Sequence, residues 1–375
     1  MSTLAGTVRV LTAPAVVAGK FRGETMRRRR RPSRGVVLFF GVLLWLGPVA
    51  VPASAWARGD SGGAPIAYVT NSQLSTVSVI QGTTLVATIP HVGRGPTGIA
   101  ITPDHRTAYV ADYGFLGQVA HTVTPIDLKH RTVGQPIEVG TGPLAIAITP
   151  DGTKAVVTLQ GISSRPGHQI AIIDLASATL IARVKVGMNP ESLAIAPDGT
   201  TAYVANFSSA SVTPVNLMSS PPAAEAPIPL PGAFPRAIAI TPDGQTAYVL
   251  DTEGSSIIPI ALATRTVGEP VSLICTKMGD PGCTPTAIAI THGGNSAYVA
   301  AAGSADVIEL ALPSLSVTRV IPTGAYPDAL GLASHWLFVA NGASDTVSVF
   351  HGPAAPVEVP GLSYPFGIAV TPRTG

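Results

Sequence analysis

The sequence predicts an all-β chain folded as a seven-bladed β-propeller of four-stranded antiparallel blades. Three observations carry this. One apolar segment recurs seven times, starting at Pro96 (PTGIAITPD), Pro143 (PLAIAITPD), Pro190 (PESLAIAPD), Pro235 (PRAIAITPD), Pro285 (PTAIAITHG), Pro327 (PDALGLASH) and Pro365 (PFGIAVTPR). The steps of 47, 47, 45, 50, 42 and 38 residues lie in the range that marks propellers and solenoids. No stretch of helical periodicity competes with the strand-like alternation between copies. Finally, the last copy stops after its first strand, and the piece it lacks, PIAYVTN, stands at Pro65–Asn71.

Each element of the period has a local reason. The PxxIAI segment alternates large and small apolar residues. Blades converge on the axis, so the strand nearest it has least room, and the small residues place this strand innermost. TPDG follows: proline suits the second place of a type I turn and glycine the left-handed place after it. TAYVAN reads as a second strand, and IAIID (Ile170–Asp174) or VSVF (Val347–Phe350) as a third. LIARVKVG (Leu180–Gly187) reads as the fourth and outermost. Pro125, Pro214 and Pro259 fall at one place in three of the third strands. Proline donates no ladder bond, so bulges or missing bonds are expected there. In the seventh blade the inner strand comes from residues 365–371 and the other three from PIAYVTN, STVSVI and TTLVATI. Pairing 365–371 with 66–71 closes the ring and removes two open sheet edges.

The strand AYVTN (Ala67–Asn71) and its variants AYVAD, AYVAN and FVAN resemble the YVTN β-propeller repeat. The likeness spans roughly residues 64–373. It implies a secreted or surface-layer type of seven-bladed propeller, with no activity attached. Seven-bladed lactonases share the overall shape, and a fold does not fix a function.

The chain divides into an export signal at 1–57, a short linker at 58–64 and one propeller at 65–375. Arg27–Arg31 and Arg34 are followed by the apolar run Val36–Gly47 and by small residues at Ala53–Ala55 or Ala55–Ala57. That order is the order of a secretory signal, with Met26 an alternative start. It places the mature chain outside the cell, at its surface or in the envelope, with no membrane span left after cleavage. Residues 1–57 carry nine of the 23 Lys and Arg residues and one of the 21 Asp and Glu residues. The remainder holds 14 bases against 20 acids, a formal charge of −6, which does not suit nucleic acid. Cys275 and Cys283, the only cysteines, are expected to form a disulfide pinning the loop they bracket.

No nucleophile elbow, Walker loop, dinucleotide fingerprint or calcium loop occurs, and no cofactor is implied. Of the eight histidines, His121 and His168 draw notice because both fall in expanded loops between second and third strands. Asn206 begins an NFS sequon. The most informative position is the one just after each motif proline, where the chain enters the inner strand at the channel mouth. Around the ring it reads Thr97, Leu144, Glu191, Arg236, Thr286, Asp328 and Phe366. Variation at one place on a uniform scaffold is how loops acquire function. Glu191 and Arg236, in adjacent blades, are also positioned to pair with each other. The expected protein is a monomeric, non-catalytic binding or scaffold propeller. Its partner is a protein, glycan or small molecule held at the mouth. The alternative is a lactonase-like hydrolase at the same mouth, with a metal held by Glu191, Asp328 and water.

Overall fold

A computed structural model describes residues 63–115, 118–162, 164–276, 282–352 and 355–371. The export signal expected at 1–57 and most of the expected linker lie outside them. The described chain is all-β: seven antiparallel sheets, a two-stranded hairpin (Gly114–Phe115 with Gln118–Val119) and one 3-10 turn at Gly342–Ser344. In each sheet the segment starting at a motif proline is an end strand. We number the blades by these inner strands: Pro96–Ile101, Pro143–Ile148, Pro190–Ile195, Pro235–Ile240, Pro285–Ile290, Pro327–Ala333 and Pro365–Thr371. Each inner strand touches the next, and the seventh touches the first, so they form a closed circle.

The close approach of these strands explains their small residues. A Cβ added at Gly98 would lie 2.6 Å from the Leu144 carbonyl oxygen, and one at Gly367 would lie 2.2 Å from that of Thr97. The core is correspondingly divided. Seven apolar clusters lie between neighbouring blades, as where Tyr298, Val307 and Ile321 of the fifth blade meet Leu337, Val339 and Phe350 of the sixth. Both faces of a sheet are therefore buried, and the side chains alternate between two clusters along each strand.

The ring closes as the sequence predicts. Ile66 pairs with Thr371, Tyr68 with Ala369 and Val69 with Ile368, antiparallel. The Gly367 amide donates to the Thr70 hydroxyl (2.8 Å), which donates to the Thr97 carbonyl of the first blade (2.7 Å). The TPDG turns also hold: Gly152, Gly199 and Gly244 are left-handed at φ 70°, 73° and 70°. In the first blade His105 takes that place at φ 58°.

Of the two outcomes expected at the third-strand prolines, missing ladder bonds occur and bulges against the second strand do not. Pro125, Pro214 and Pro259 pair in register with Tyr109, Tyr203 and Tyr248, without a shift. The break falls on the outer side. In these three blades the fourth strand is split into two pieces of two residues each, on either side of the proline. The proline carbonyl still accepts a bond, from Gly134, Glu225 or Gly268 (2.8 Å each). The missing N–H leaves nothing for the outer strand to bond, so the ladder lapses there. Blades without the proline carry a continuous outer strand, as at Thr84–Ile89, Thr179–Lys185 and Ser316–Pro322.

Candidate functional site

At the ends of four second strands, Asn71, Asp112, Asn206 and Asn341 are locks rather than ligands. The Asn71 side-chain amide donates to Thr76 and Ser78 (2.9 Å each). Asn206 donates likewise to Thr213 (2.8 Å), and Asn341 to Thr346 and Ser348 (3.1 and 2.8 Å). In the first blade Asp112 takes the place and accepts from Thr122 and Thr124 (2.7 Å each). These residues tie the second strand to the third below the mouth. Because Asn206 is fully buried, its sequon is out of reach of a glycan.

Above the locks, the residues that follow the motif prolines converge. Leu144, Glu191, Arg236, Thr286, Asp328 and Phe366 line one cavity of about 260 Å³ around the axis. Thr97 lines a neighbouring groove, which Phe366 shares. The seven do different work. The Thr97 hydroxyl donates to the Leu144 carbonyl (2.9 Å) and that of Thr286 to the Pro327 carbonyl (2.6 Å). Those two threonines staple adjacent inner strands. Glu191 accepts from the Gln160 amide and lies 3.8 Å from Arg236. Burial raises the Glu191 pKa against the pull of Arg236 and Gln160. The adjacent-blade pairing expected of Glu191 and Arg236 is thus present, at long range.

Asp328 is the unusual member. It is 9% exposed, and its Oδ2 has no hydrogen-bond partner. Burial pushes its carboxyl up to about 7, although Arg236 pulls the other way. A carboxylate held out of water without a partner is costly, and groups so placed are enriched at functional sites.

The groove beside the cavity has a volume of about 600 Å³. Tyr113, Phe115, Val119, Ile162, Tyr364 and Phe366 give it apolar walls, with Ser72, Gln118 and Ser164 as polar points. It is built by the expanded loops of the first two blades. His121 and His168 drew attention to those loops, yet both are exposed and neither lines the groove. Sequence reasoning named Phe366 but missed Tyr113, Phe115 and Tyr364. One signal was available, because the residue before the motif proline is Tyr326 in one copy and Tyr364 in the next. Both are left-handed, at φ 57° and 46°. Bulky residues seldom adopt that region, at a cost of about 1–3 kcal/mol each. Glycine stands at this place in the first two blades, as Gly95 and Gly142.

The disulfide joins Cys275 and Cys283 with Cα atoms 5.7 Å apart, both buried against the cluster between the fourth and fifth blades. Among the described residues no group of three or more His, Cys, Asp or Glu side chains could hold a metal ion. No helix among them is long and apolar enough to cross a membrane.

No family model and no curated protein matches the chain in sequence. Solved structures do match in shape. The periplasmic gluconolactonase of Pseudomonas aeruginosa superposes with a TM-score of 0.67 at 16% identity, over 82% of this chain and 99% of its own. Hydrazine synthase of Kuenenia stuttgartiensis gives 0.67 at 19%, over 79% and 98%. A functionally unknown protein of Desulfotomaculum acetoxidans gives 0.69 at 18%, over 82% and 99%. At these identities the likeness is one of fold.

Proposed function

We propose that the protein is an exported propeller that binds a small ligand at the channel mouth. One observation carries this: the aromatic-walled groove opens beside the cavity that holds Glu191, Arg236 and Asp328, and Phe366 lines both. A concave apolar site with a few convergent polar groups is the usual form of a ligand site. The left-handed Tyr364, a wall of the groove, fits the same reading, since backbone strain clusters at ligand clamps. The Cys275–Cys283 bond suits an oxidising compartment. The test is a fragment screen by ligand-observed NMR on the wild type and on Phe366→Ala. Fragments with an aromatic ring and a polar tail should bind the wild type and lose most of their signal in the variant. A screen with no hit sensitive to Phe366 would overturn the reading.

Asp328 favours a second reading, a lactone hydrolase. A carboxyl with a pKa of about 7 is suited to take a proton near neutrality. There it would accept the proton of a water attacking the lactone carbonyl and return it to the ring oxygen as the ring C–O bond breaks, giving a hydroxy acid. The Pseudomonas aeruginosa gluconolactonase supports this only through its shape. Hydrolysis of a panel of five- and six-membered lactones, abolished by Asp328→Asn, would establish it.

A further inference from the structure

We propose that the mouth takes an organic cation, an amine or quaternary ammonium carried on a flat apolar or aromatic body. This rests on the reading of the mouth as a binding site and names the class of its ligand.

The charge balance comes first. The cavity is lined by two carboxylates, Glu191 and Asp328, and one cation, Arg236. Arg236 sits within 4 Å of Glu191 alone. Among the described residues no cationic side chain pairs with Asp328. With both carboxyls ionised, as at pH 8, one negative charge is left over, and Asp328, 9% exposed, has an Oδ2 that accepts no hydrogen bond. A buried charge is satisfied by a counter-charge or by donors. A protonated amine supplies both, and a quaternary ammonium supplies the counter-charge.

Aromatic geometry points the same way. Asp328 and Tyr364 close on the same glycine: a Cβ built on Gly342 would lie 2.5 Å from Asp328 Oδ2 and 3.4 Å from Tyr364 Cζ. Tyr364 is the groove residue that feels the Asp328 charge, and Tyr113 is the one that feels Glu191. Tyr113, Tyr364 and Phe366 thus form the part of the groove wall that lies nearest the carboxylates. Aromatic faces attract cations, most strongly where water is excluded. No charged residue lines the groove itself, so the apolar body would lie there with its cationic end towards Asp328.

Other ligand classes fit less well. An anion would meet two carboxylates and one guanidinium already engaged by Glu191. A neutral ligand would leave the Asp328 charge unpaired.

The experiment uses three probes of one shape on the full chain: phenethylamine, 2-phenylethanol and phenylacetate, titrated by calorimetry at pH 8. The amine should bind roughly tenfold tighter than the alcohol or more, from cation–π and charge pairing, and phenylacetate should bind weakest. Asp328→Asn should bring amine and alcohol to within about threefold of each other, whereas Phe366→Ala should weaken all three. The wild-type ranking decides the matter even where a variant fails to fold. If the alcohol or the carboxylate equals the amine, with binding still sensitive to Phe366, the cation class is wrong and the binding site stands. If no probe binds, the cation proposal is overturned, and the fragment screen shows separately whether the site itself fails.

Discussion

Asn341 shows what a single repeated side chain contributes. It is fully buried, donates to Thr346 and Ser348, and accepts from the Thr323 hydroxyl (2.9 Å). Alanine there would strand buried hydroxyls, at a cost of about 2–3 kcal/mol. We expect Asn341→Ala to lower Tm by roughly 5 °C, measured by calorimetry, with binding at the mouth unchanged. The fifth blade shows how the lock can be moved. Ala301 stands at the usual place, and Asp306 instead accepts from the Thr276 amide and hydroxyl (3.0 and 2.7 Å). Asp328 makes the opposite kind of prediction. Burial raises its pKa to about 7, and that of Asp112 to about 6. An acid raised on folding binds more protons in the native state than in the unfolded one between about pH 4 and its native pKa. Its stabilising contribution is full below pH 4 and is lost as pH rises through about 7. Asp328→Asn should therefore melt higher than wild type at pH 8. Its Tm should also fall less between pH 5 and pH 8. A variant whose melting curve tracks the wild type across that range would contradict this placement of Asp328.

Among the elements, the outer strands differ most from blade to blade. Pro125, Pro214 and Pro259 each leave a gap in the ladder to the fourth strand, whereas the second, fifth and seventh blades have outer strands of six or seven residues. Short pieces held by few bonds open locally at low free energy. Hydrogen exchange followed by mass spectrometry should find the outer segments 132–138, 223–229 and 266–272 exchanging faster than 84–89, 179–185 and 316–322. Equal protection in the two groups would mean that the gaps cost nothing. The second and third strands should exchange slowest of all, since each is paired on both sides and buried between neighbouring blades.

The whole molecule depends on one joint. Pairing of Ile66–Asn71 with Pro365–Thr371 joins the two ends of the described chain into one blade and closes the ring. A chain ending at Tyr364 loses the inner strand of the seventh blade. It also exposes the cluster that Ile368 and Val370 share with Phe338 and Val349. At about 25 cal/mol per Å² of apolar area, the loss amounts to several kcal/mol, a large part of a domain's stability. The truncated protein should aggregate or melt far lower, as read by light scattering and calorimetry. Removal of Arg373–Gly375 alone should change little. A monomer cut at Tyr364 with an unchanged Tm would mean that closure is not what holds the ring.

The architecture was legible because it is repeated. Seven copies of PxxIAI, the left-handed place in TPDG and the split last copy are local signals, and each names a backbone conformation that only a few residues can supply. Closure followed from the same pattern, since a half-blade at each end has one way to satisfy its edges. The mouth was legible only as a ring of positions. Strand period placed Glu191, Arg236, Asp328 and Phe366 at one level of the axis. It could not say that Thr97 and Thr286 would turn to the neighbouring strands, or that Asp328 would be left without a partner. Those outcomes depend on how far one blade stands from the next, a distance set by side chains scattered over the whole ring. The groove is a product of tertiary structure for the same reason. Tyr113, Phe115, Ile162, Tyr364 and Phe366 belong to three blades, the first, second and seventh, and only ring closure brings the last of these against the first.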